Sequence, residues 1–575
     1  MTHTTETGLL AAEWRDPDDI ALERKGGTLI RRKGIYIAHL RGSYEDMGRQ
    51  HGELAAAACG DVVPLYMNQL VEKLVAHALP GFARPIAGML KGFFHLRNRG
   101  ELGDDMRGHL GALAKAYGFD PVVAERLFLV PDIFHYLAGR SFATLAPSPN
   151  CSGLFACGRA TRDGKLLIGR NFDFFGRGVW NTNNAVIILH PDGGQRFCWL
   201  GALGVPASGQ GFNESGLFVG LHTKFTRDVS TKGQPLFKLV HDILAQCTTL
   251  DEAIARITTK HRMCGLSLFV VDTRARTAAA IGYSAHCEEI MRPEEDLLVR
   301  TNHYTTPTMK RLEAVPHPWR ANSEGRFLRV TELLMEKHGT LSPQDIPAIL
   351  SDCVDPFEQR KRIVGHTLAA THNVQSMVLS PDDDALWLAH GDCPVCHSNR
   401  FRGFRISALL DGDTDRCAMD DLPGAGQLNA TERSALLEYE QAWSEYVDRL
   451  DSSRAVFHLL RAAELLPDEP LFPRMAGILL LKERKYERAL PLLIRNTEYD
   501  HRDRLTRAES HMWLGRCLDL MGRRAEARTR YEAAAVLDAP PVSAAARRHL
   551  LAPFRARHLF TVTPDFIVGT GLAKY

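Results

Sequence analysis

The 575-residue chain has no window approaching the roughly 18 uncharged apolar residues of a membrane helix, so no transmembrane segment is expected. It has almost no net charge. Its 70 Lys and Arg stand against 68 Asp and Glu, a formal balance of +2, with no basic face or stripe of the kind that binds nucleic acid. Met1 to Asp19 carries Glu6, Glu13 and Asp16 and lacks the basic-then-apolar order of a secretory signal, which makes a cytoplasmic location the expectation. Familiar catalytic signatures are missing too. There is no GxSxG, HExxH or GxxxxGK[ST], and no GxGxxG between a strand and a helix, so the usual hydrolase and nucleotide readings lose their support. Twelve cysteines are scattered without a framework and read as reduced, small, buried hydrophobes. Cys393, Cys396 and His397 form CPVCH, but a zinc site needs a second ligand pair and haem attachment needs an export route. The motif is therefore read as structural, and no metal or organic cofactor is expected.

What is present is an ordinary globular composition, 45% hydrophobic and 24% charged, in three textures. Tyr36 to Ala146 shows helical spacing, clearest over Glu45 to His77 and Arg107 to Leu129, which predicts a helical lobe over 1–150. Within it Ala78 to Phe94 is apolar apart from Arg84 and Lys91, a core helix or a face that meets lipid or a greasy substrate. From Cys151 to Leu410 short β-rich runs such as LLIGRNFDF, NAVIILHP and LSLFVVDT alternate with Asp-Gly and Gly-Gly turns. Two amphipathic helices, Phe237 to Thr258 and Glu324 to His338, interrupt them. Runs of strands with inserted helices predict a layered α+β domain over 151–410, and the Asp- and Gly-rich stretch 411–428 reads as a linker.

Beyond the linker, 429–575 is helical and repetitive. Ala455 and Leu459 recur as Ala489 and Leu493 and as Ala527 and Tyr531, and Gly477 recurs as Gly515, at offsets of 34 and 38. A period near 34 with small residues where helices cross resembles tetratricopeptide repeats. Such a module offers a groove for a protein or peptide partner, a surface for self-association, or a buttress.

Chemistry concentrates where the first two textures meet, at Ser148-Pro149-Asn150-Cys151-Ser152-Gly153, with Arg170-Asn171-Phe172-Asp173 ending the next predicted strand. If the Asn150–Cys151 bond is cut, the freed α-amine, with a pKa of about 8, can serve as general base for the thiol of the same residue. The thiol can make the cut itself by attack on the Asn150 carbonyl, an N-to-S acyl shift and hydrolysis. A guanidinium at Arg170 would hold the thiolate, and a carboxylate at Asp173 would orient the amine. The run FACGRATRDGKLLIG reads strand, Asp163-Gly164 turn, strand, which places Cys151 beside Arg170.

Cys151, GRNFDF nineteen residues on, GFNESGL (Gly211 to Leu217), TNHY (Thr301 to Tyr304) and NSEGRFLR (Asn322 to Arg329), with LRGSYEDMGRQHGE (Leu40 to Glu53) upstream, together resemble a known group. They are similar to the N-terminal nucleophile (Ntn) hydrolases of the choloylglycine hydrolase and acyl-CoA:6-aminopenicillanic acid acyltransferase group, in its peptidase C45 branch. The resemblance implies a four-layer αββα fold self-processed at Asn150/Cys151. It implies Cys151 as nucleophile, Arg170 and Asp173 as its partners, and Arg326 as a further pocket charge in preference to Arg329. It also implies an oxyanion held by the Asn302 side chain and by a backbone donor at Asn213.

The expected activity is that of a cysteine Ntn amidohydrolase or acyltransferase. The substrate would be an acyl amide or an acyl-CoA thioester, with acyl-CoA as co-substrate and a thioester on Cys151. Two alternatives differ in class. One is a catalytically silent scaffold recruiting a partner through its repeat tail. The other is a papain-like thiol hydrolase using His303 or His222, with His372 a weaker candidate.

Overall fold

Two Lys-Gly pairs shape the start of the chain. Lys25-Gly26 and Lys33-Gly34 all have positive φ, between 49° and 87°, the conformation that turns one strand directly back on the next. In this computed structural model, which describes residues 20–60, 85–140, 150–174, 176–447 and 449–572, they link β1 (Ala21–Arg24), β2 (Gly27–Arg32) and β3 (Ile35–Gly42) into a meander. The segment read as a helical lobe therefore opens with three strands. Ile35, Ile37 and Leu40 are apolar on both helical and strand counts, and the turn chemistry decides between them.

Those strands begin a ten-stranded sheet. It continues through β6 (Asn184–Pro191), β7 (Phe197–Ala202), β8 (Gln210–Asn213), β9 (Leu217–Thr223), β10 (Leu266–Asp272), β11 (Thr277–Tyr283) and β12 (Glu288–Met291), in that order. Only the β3–β6 pair is parallel. A seven-stranded antiparallel sheet runs β13 (Leu297–Arg300), β4 (Asn150–Ala156), β5 (Leu167–Asp173), β16 (Asn373–Ser380), β17 (Ala385–Ala389), β18 (Arg400–Arg405) and β19 (Ala418–Pro423). Strand β19 lies in the stretch expected to be a linker. Its pairing to β18 is a long-range fact that its Asp-rich sequence, AMDDLP, does not announce.

The two sheets pack face to face. Ile37, Val186, Ile188 and Cys198 from the larger and Phe155, Ile168, Met377 and Leu386 from the smaller share one buried cluster, the contiguous core that such layers require. Helices Leu236–Gln246 and Leu250–Thr259 cover the outer face of the larger sheet, with Tyr44–Cys59 on β3, and Ile346–Leu350 lies on β5 and β16. The layering is helix, sheet, sheet, helix, the four-layer α+β arrangement expected above. The single helix expected over Phe237 to Thr258 is broken before Leu250, where the Thr249 side chain caps the second helix by accepting from the Glu252 N–H.

This α+β unit comprises Met1–Ala314, Leu333–Leu350 and His372–Ala425. A second compact unit gathers Val315–Glu332, Ser351–Thr371 and Gly426–Tyr575. Among the described residues of its Gly426–Tyr575 segment run seven α-helices, from Ala430–Val447 to Val542–Leu551. Ala455, Ala489 and Ala527 are fully buried, and Gly477 and Gly515 sit against Leu493 and Tyr531. The unit is not purely helical: β14 (Val354–Asp355) pairs with β15 (Arg360–Lys361), and β20 (Thr563–Asp565) with β21 (Thr570–Leu572). Inside it Trp319 Nε1 donates to Asp565 at 2.7 Å and Arg362 Nε to Glu469 at 3.1 Å, tying 315–332 and 351–371 to the C-terminal helices. No helix among the described residues is long and apolar enough to cross a membrane. Pro149, the residues from Asp61 to His77, and the first part of the Ala78 to Phe94 segment lie outside the described residues.

Candidate active site

β4 and β5 pair antiparallel with Cys151 opposite Phe172, Gly153 opposite Arg170 and Phe155 opposite Ile168. Because side chains alternate along a strand, Cys151 and Arg170 share the face whose next members, Phe155 and Ile168, enter the inter-sheet core. The thiol therefore points between the sheets, and Cys151 is fully buried. Arg170 Nη2 donates to Cys151 Sγ at 3.3 Å and also to the Leu221 carbonyl, and its Nη1 donates to Gln210 Oε1 at 2.6 Å. Burial presses the guanidinium pKa down, and the nearby Cys151 and Asp173 push it back; an arginine stays charged under such a load. The side chain reaches this position by lying across β9 at Gly220, where a Cβ would come within 2.8 Å of Arg170 Nε.

The Cys151 N–H donates to Asn302 Oδ1 at 2.9 Å, while Asn302 Nδ2 donates to the Thr223 carbonyl at 3.0 Å. The two partners fix the amide's orientation, since an N–H needs an acceptor and a carbonyl a donor. Asn302 follows β13, whose register against β4 sets Arg300 opposite Gly153. Its loop is pinned on three sides. The Thr305 and Thr306 amides donate to Glu289 Oε2 at 3.0 and 2.8 Å, the Tyr304 amide donates to Glu313 Oε1 at 2.9 Å, and Lys224 Nζ donates to the His303 carbonyl. Burial works against an ionised Glu289, yet Lys224, Arg300 and the two threonine amides outweigh it and bring its pKa down to about 2.

Asp173 lies opposite Asn150, on the other face of the sheet from the thiol but beside the Asn150–Cys151 peptide. Asn373 Nδ2 donates to Asp173 Oδ1 at 2.8 Å, and Asn373 Oδ1 accepts from the Cys396 amide at 2.9 Å. The CPVCH turn thus serves through its backbone, fixing the residue that holds Asp173. Among the described residues the one cluster of His, Cys, Asp and Glu close enough to share a cation is Asp105, His241 and Asp242. Lys238 already fills that role, 3.0 Å from Asp105 and hydrogen-bonded to Asp242.

One expected residue, Asn213, is not brought to Cys151 in this way. Asn213 ends β8 and is absorbed in its own turn: Nδ2 donates to the Leu244 and Cys247 carbonyls at 3.0 and 2.9 Å, and Oδ1 accepts from the Leu217 amide at 2.9 Å. The turn amides of Glu214 and Gly216 are also bonded, to the Arg196 and Asn213 carbonyls. The turn stands at the Leu217 end of β9, about 20 Å along the strand from Thr223 at 3.3 Å per residue, so its amides do not serve an oxyanion at Cys151. Arg326 belongs to the second unit, on the helix His317–Glu336, with Nε donating to Asn322 Oδ1 at 3.0 Å. Arg329 makes a two-pronged pair with Asp352 at 3.0 Å. Of the histidines, His222 is fully buried with its ring 3.1 Å from where a Cβ on Gly153 would stand, whereas His303 Nδ1 lies 3.3 Å from the Thr301 hydroxyl. His372 contributes a carbonyl to the Phe174 amide at 2.9 Å.

Residues 159–392 match the family model described as acyl-coenzyme A:6-aminopenicillanic acid acyl-transferase. The likeness is to an acyltransferase family of the Ntn hydrolases. Arg170, Asp173, Asn213, Asn302 and Arg326 fall inside the acyltransferase match, and Asn150 and Cys151 lie just before its start. An uncharacterized protein of Archaeoglobus fulgidus is 23% identical over 348 residues, 54% of this chain and 56% of that protein. The chain thus spans about half the length of the curated relative it matches. Among solved structures, the Caenorhabditis elegans ortholog of N-acylethanolamine-hydrolyzing acid amidase is 16% identical, covering 40% of this chain and 93% of that one, with a TM-score of 0.30. A mutant conjugated bile acid hydrolase from Clostridium perfringens is 12% identical, covering 48% and 97%, also at 0.30.

Proposed function

We propose that the protein is a self-processing cysteine Ntn amidohydrolase or acyltransferase acting on an acyl amide or an acyl-CoA thioester. The observation that carries this reading is that one residue, Cys151, has its sulfur on a buried arginine and its nitrogen on Asn302, so nucleophile and prospective base are each held separately. In the intact chain the Cys151 thiolate attacks the Asn150 carbonyl, the C–N bond breaks as the amine takes a proton, and water hydrolyses the resulting thioester. The freed amine, still accepted by Asn302 Oδ1, then takes the thiol proton as the sulfur attacks an acyl donor. The amine or CoA thiol leaves, and water or an acceptor amine collects the acyl group. Asp173, beside the scissile peptide, is assigned to orient the amine. Asn302 is assigned to hold that nitrogen in place. The helical unit is assigned to a protein or peptide partner or to self-association.

The test is the intact mass of wild type and of Cys151→Ala. Cleavage of the 64.0 kDa chain after residue 150 gives fragments of about 17 and about 47 kDa, the larger starting Cys-Ser-Gly-Leu and absent from the variant. A wild type that stays whole on long incubation overturns self-activation and favours the silent-scaffold reading. A second reading rests on His222, the buried ring beside Gly153: as a papain-like base it predicts turnover by an uncut chain and loss of that turnover in His222→Ala.

A further inference from the structure

The guanidinium at Cys151 does not end at Gln210. Gln210 Nε2 donates to Gln375 Oε1 at 2.9 Å, Gln375 Nε2 donates to Asn184 Oδ1 at 3.0 Å and to the Gly201 carbonyl at 2.7 Å, and Asn184 Nδ2 donates to the Ala389 carbonyl at 3.3 Å. All three amides are buried. The series crosses from the larger sheet (β8) to the smaller (β16) and back to β6 before ending on β17. Its polarity is set by its ends. Arg170 can only donate, so Gln210 must present oxygen to it and nitrogen to Gln375, and each later amide follows suit down to a backbone carbonyl that can only accept.

We infer that Gln210, Gln375 and Asn184 form a one-way amide relay that positions the Arg170 guanidinium against the Cys151 sulfur. A buried series of amides bonded at both ends resists reorientation, and a guanidinium bonded to it on Nη1 and to the Leu221 carbonyl on Nη2 has one direction left for its remaining Nη2 proton, toward Sγ. The relay rests on the reading of Cys151 as nucleophile, and it adds residues that neither the motifs nor the family likeness assign. These are positioning residues: they act on the thiol through Arg170.

The test reads the thiol rather than turnover. Cys151 in the full chain is labelled with methyl methanethiosulfonate over pH 5 to 10, with site-resolved mass spectrometry, in wild type, Gln210→Glu and Gln375→Leu, alongside the pH dependence of cleavage after Asn150. In Gln210→Glu a carboxylate competes for the guanidinium, so the labelling midpoint moves up and labelling at pH 7 slows about tenfold, equivalent to one pKa unit. Gln375→Leu unpins Gln210 without adding charge and moves the midpoint the same way by less. If both variants melt with wild type and keep its midpoint, the relay is wrong while the nucleophile reading stands. If the wild type neither labels nor cuts at any pH, the nucleophile reading falls and the relay with it. Labelling with shifted midpoints in an uncut wild type leaves the relay supported and removes only the self-processing.

Discussion

At the scale of single residues, Asn302 joins two tasks, accepting from the Cys151 nitrogen and donating to the Thr223 carbonyl. Asn302→Leu keeps the bulk and strands both groups in a buried site, a cost of about 1–3 kcal/mol for each unsatisfied group. Cleavage after Asn150, followed by intact mass, is expected to slow at least tenfold. Unchanged cleavage would show that the nitrogen needs no anchor. Glu289 sets the loop behind it. Its carboxyl is depressed to about 2 against the usual value near 4.3, so its stabilisation is fully present above about pH 4.3 and is lost as pH falls toward 2. Glu289→Gln should therefore melt well below wild type at pH 7, with the gap narrowing steadily as the pH is taken below 4; a pH-independent gap would rule out an ionic role.

At the scale of elements, two glycines predict opposite outcomes. Gly220 in β9 faces Arg170 Nε, 2.8 Å from an added Cβ. Gly220→Ala should push the guanidinium off the sulfur and stop cleavage, with a lowered melting temperature as the buried charge loses its partners. Gly515, in the helix Arg504–Leu520, meets the ring of Tyr531 at 2.7 Å, and that ring is fully buried with its hydroxyl on Asp519 at 2.9 Å. It cannot swing aside. In Gly515→Ala the overpacking, about 1–3 kcal/mol, should outweigh the roughly 1 kcal/mol of helix propensity gained over glycine, lowering the melting temperature while cleavage proceeds normally. Reversed results in the two variants would separate the helix crossing from the site in the wrong direction.

At the scale of the whole molecule, the α+β unit is built around neutral histidines. Burial is the first cause in each case: it lowers His51 and His390 to about 3 and His39, His135 and His190 to about 4. Each is neutral in the fold and titrates near 6.5 when unfolded. Their stabilisation is complete above about pH 6.5 and is lost as the pH falls toward 4. Unfolding in that range takes up several protons, so the urea midpoint at pH 5.5 should lie clearly below that at pH 7.5. A flat midpoint across that interval would mean that the histidines are solvated.

The sequence by itself determined the candidate residues and part of the local frame around them. Cys151, Arg170 and Asp173 were legible as the ends of two predicted strands; the strands do pair, but across a ten-residue connection, 157–166, and not a tight Asp163-Gly164 turn, so their register was not set by that turn. The repeated Ala and Gly positions marked helix crossings because only small side chains fit there. It also held an unread signal in the two Lys-Gly turns that make 21–42 a meander. Only the tertiary structure decided that Asn302 faces the nitrogen of Cys151, that the Asn213 turn lies a strand's length away, and that β19 belongs to a sheet. Gln375 is 165 residues from Gln210, and no spacing rule links two amides on different sheets. Their meeting follows from stacking two sheets about 10 Å apart, and it is that stacking which turns unremarkable glutamines into the supports of a buried arginine.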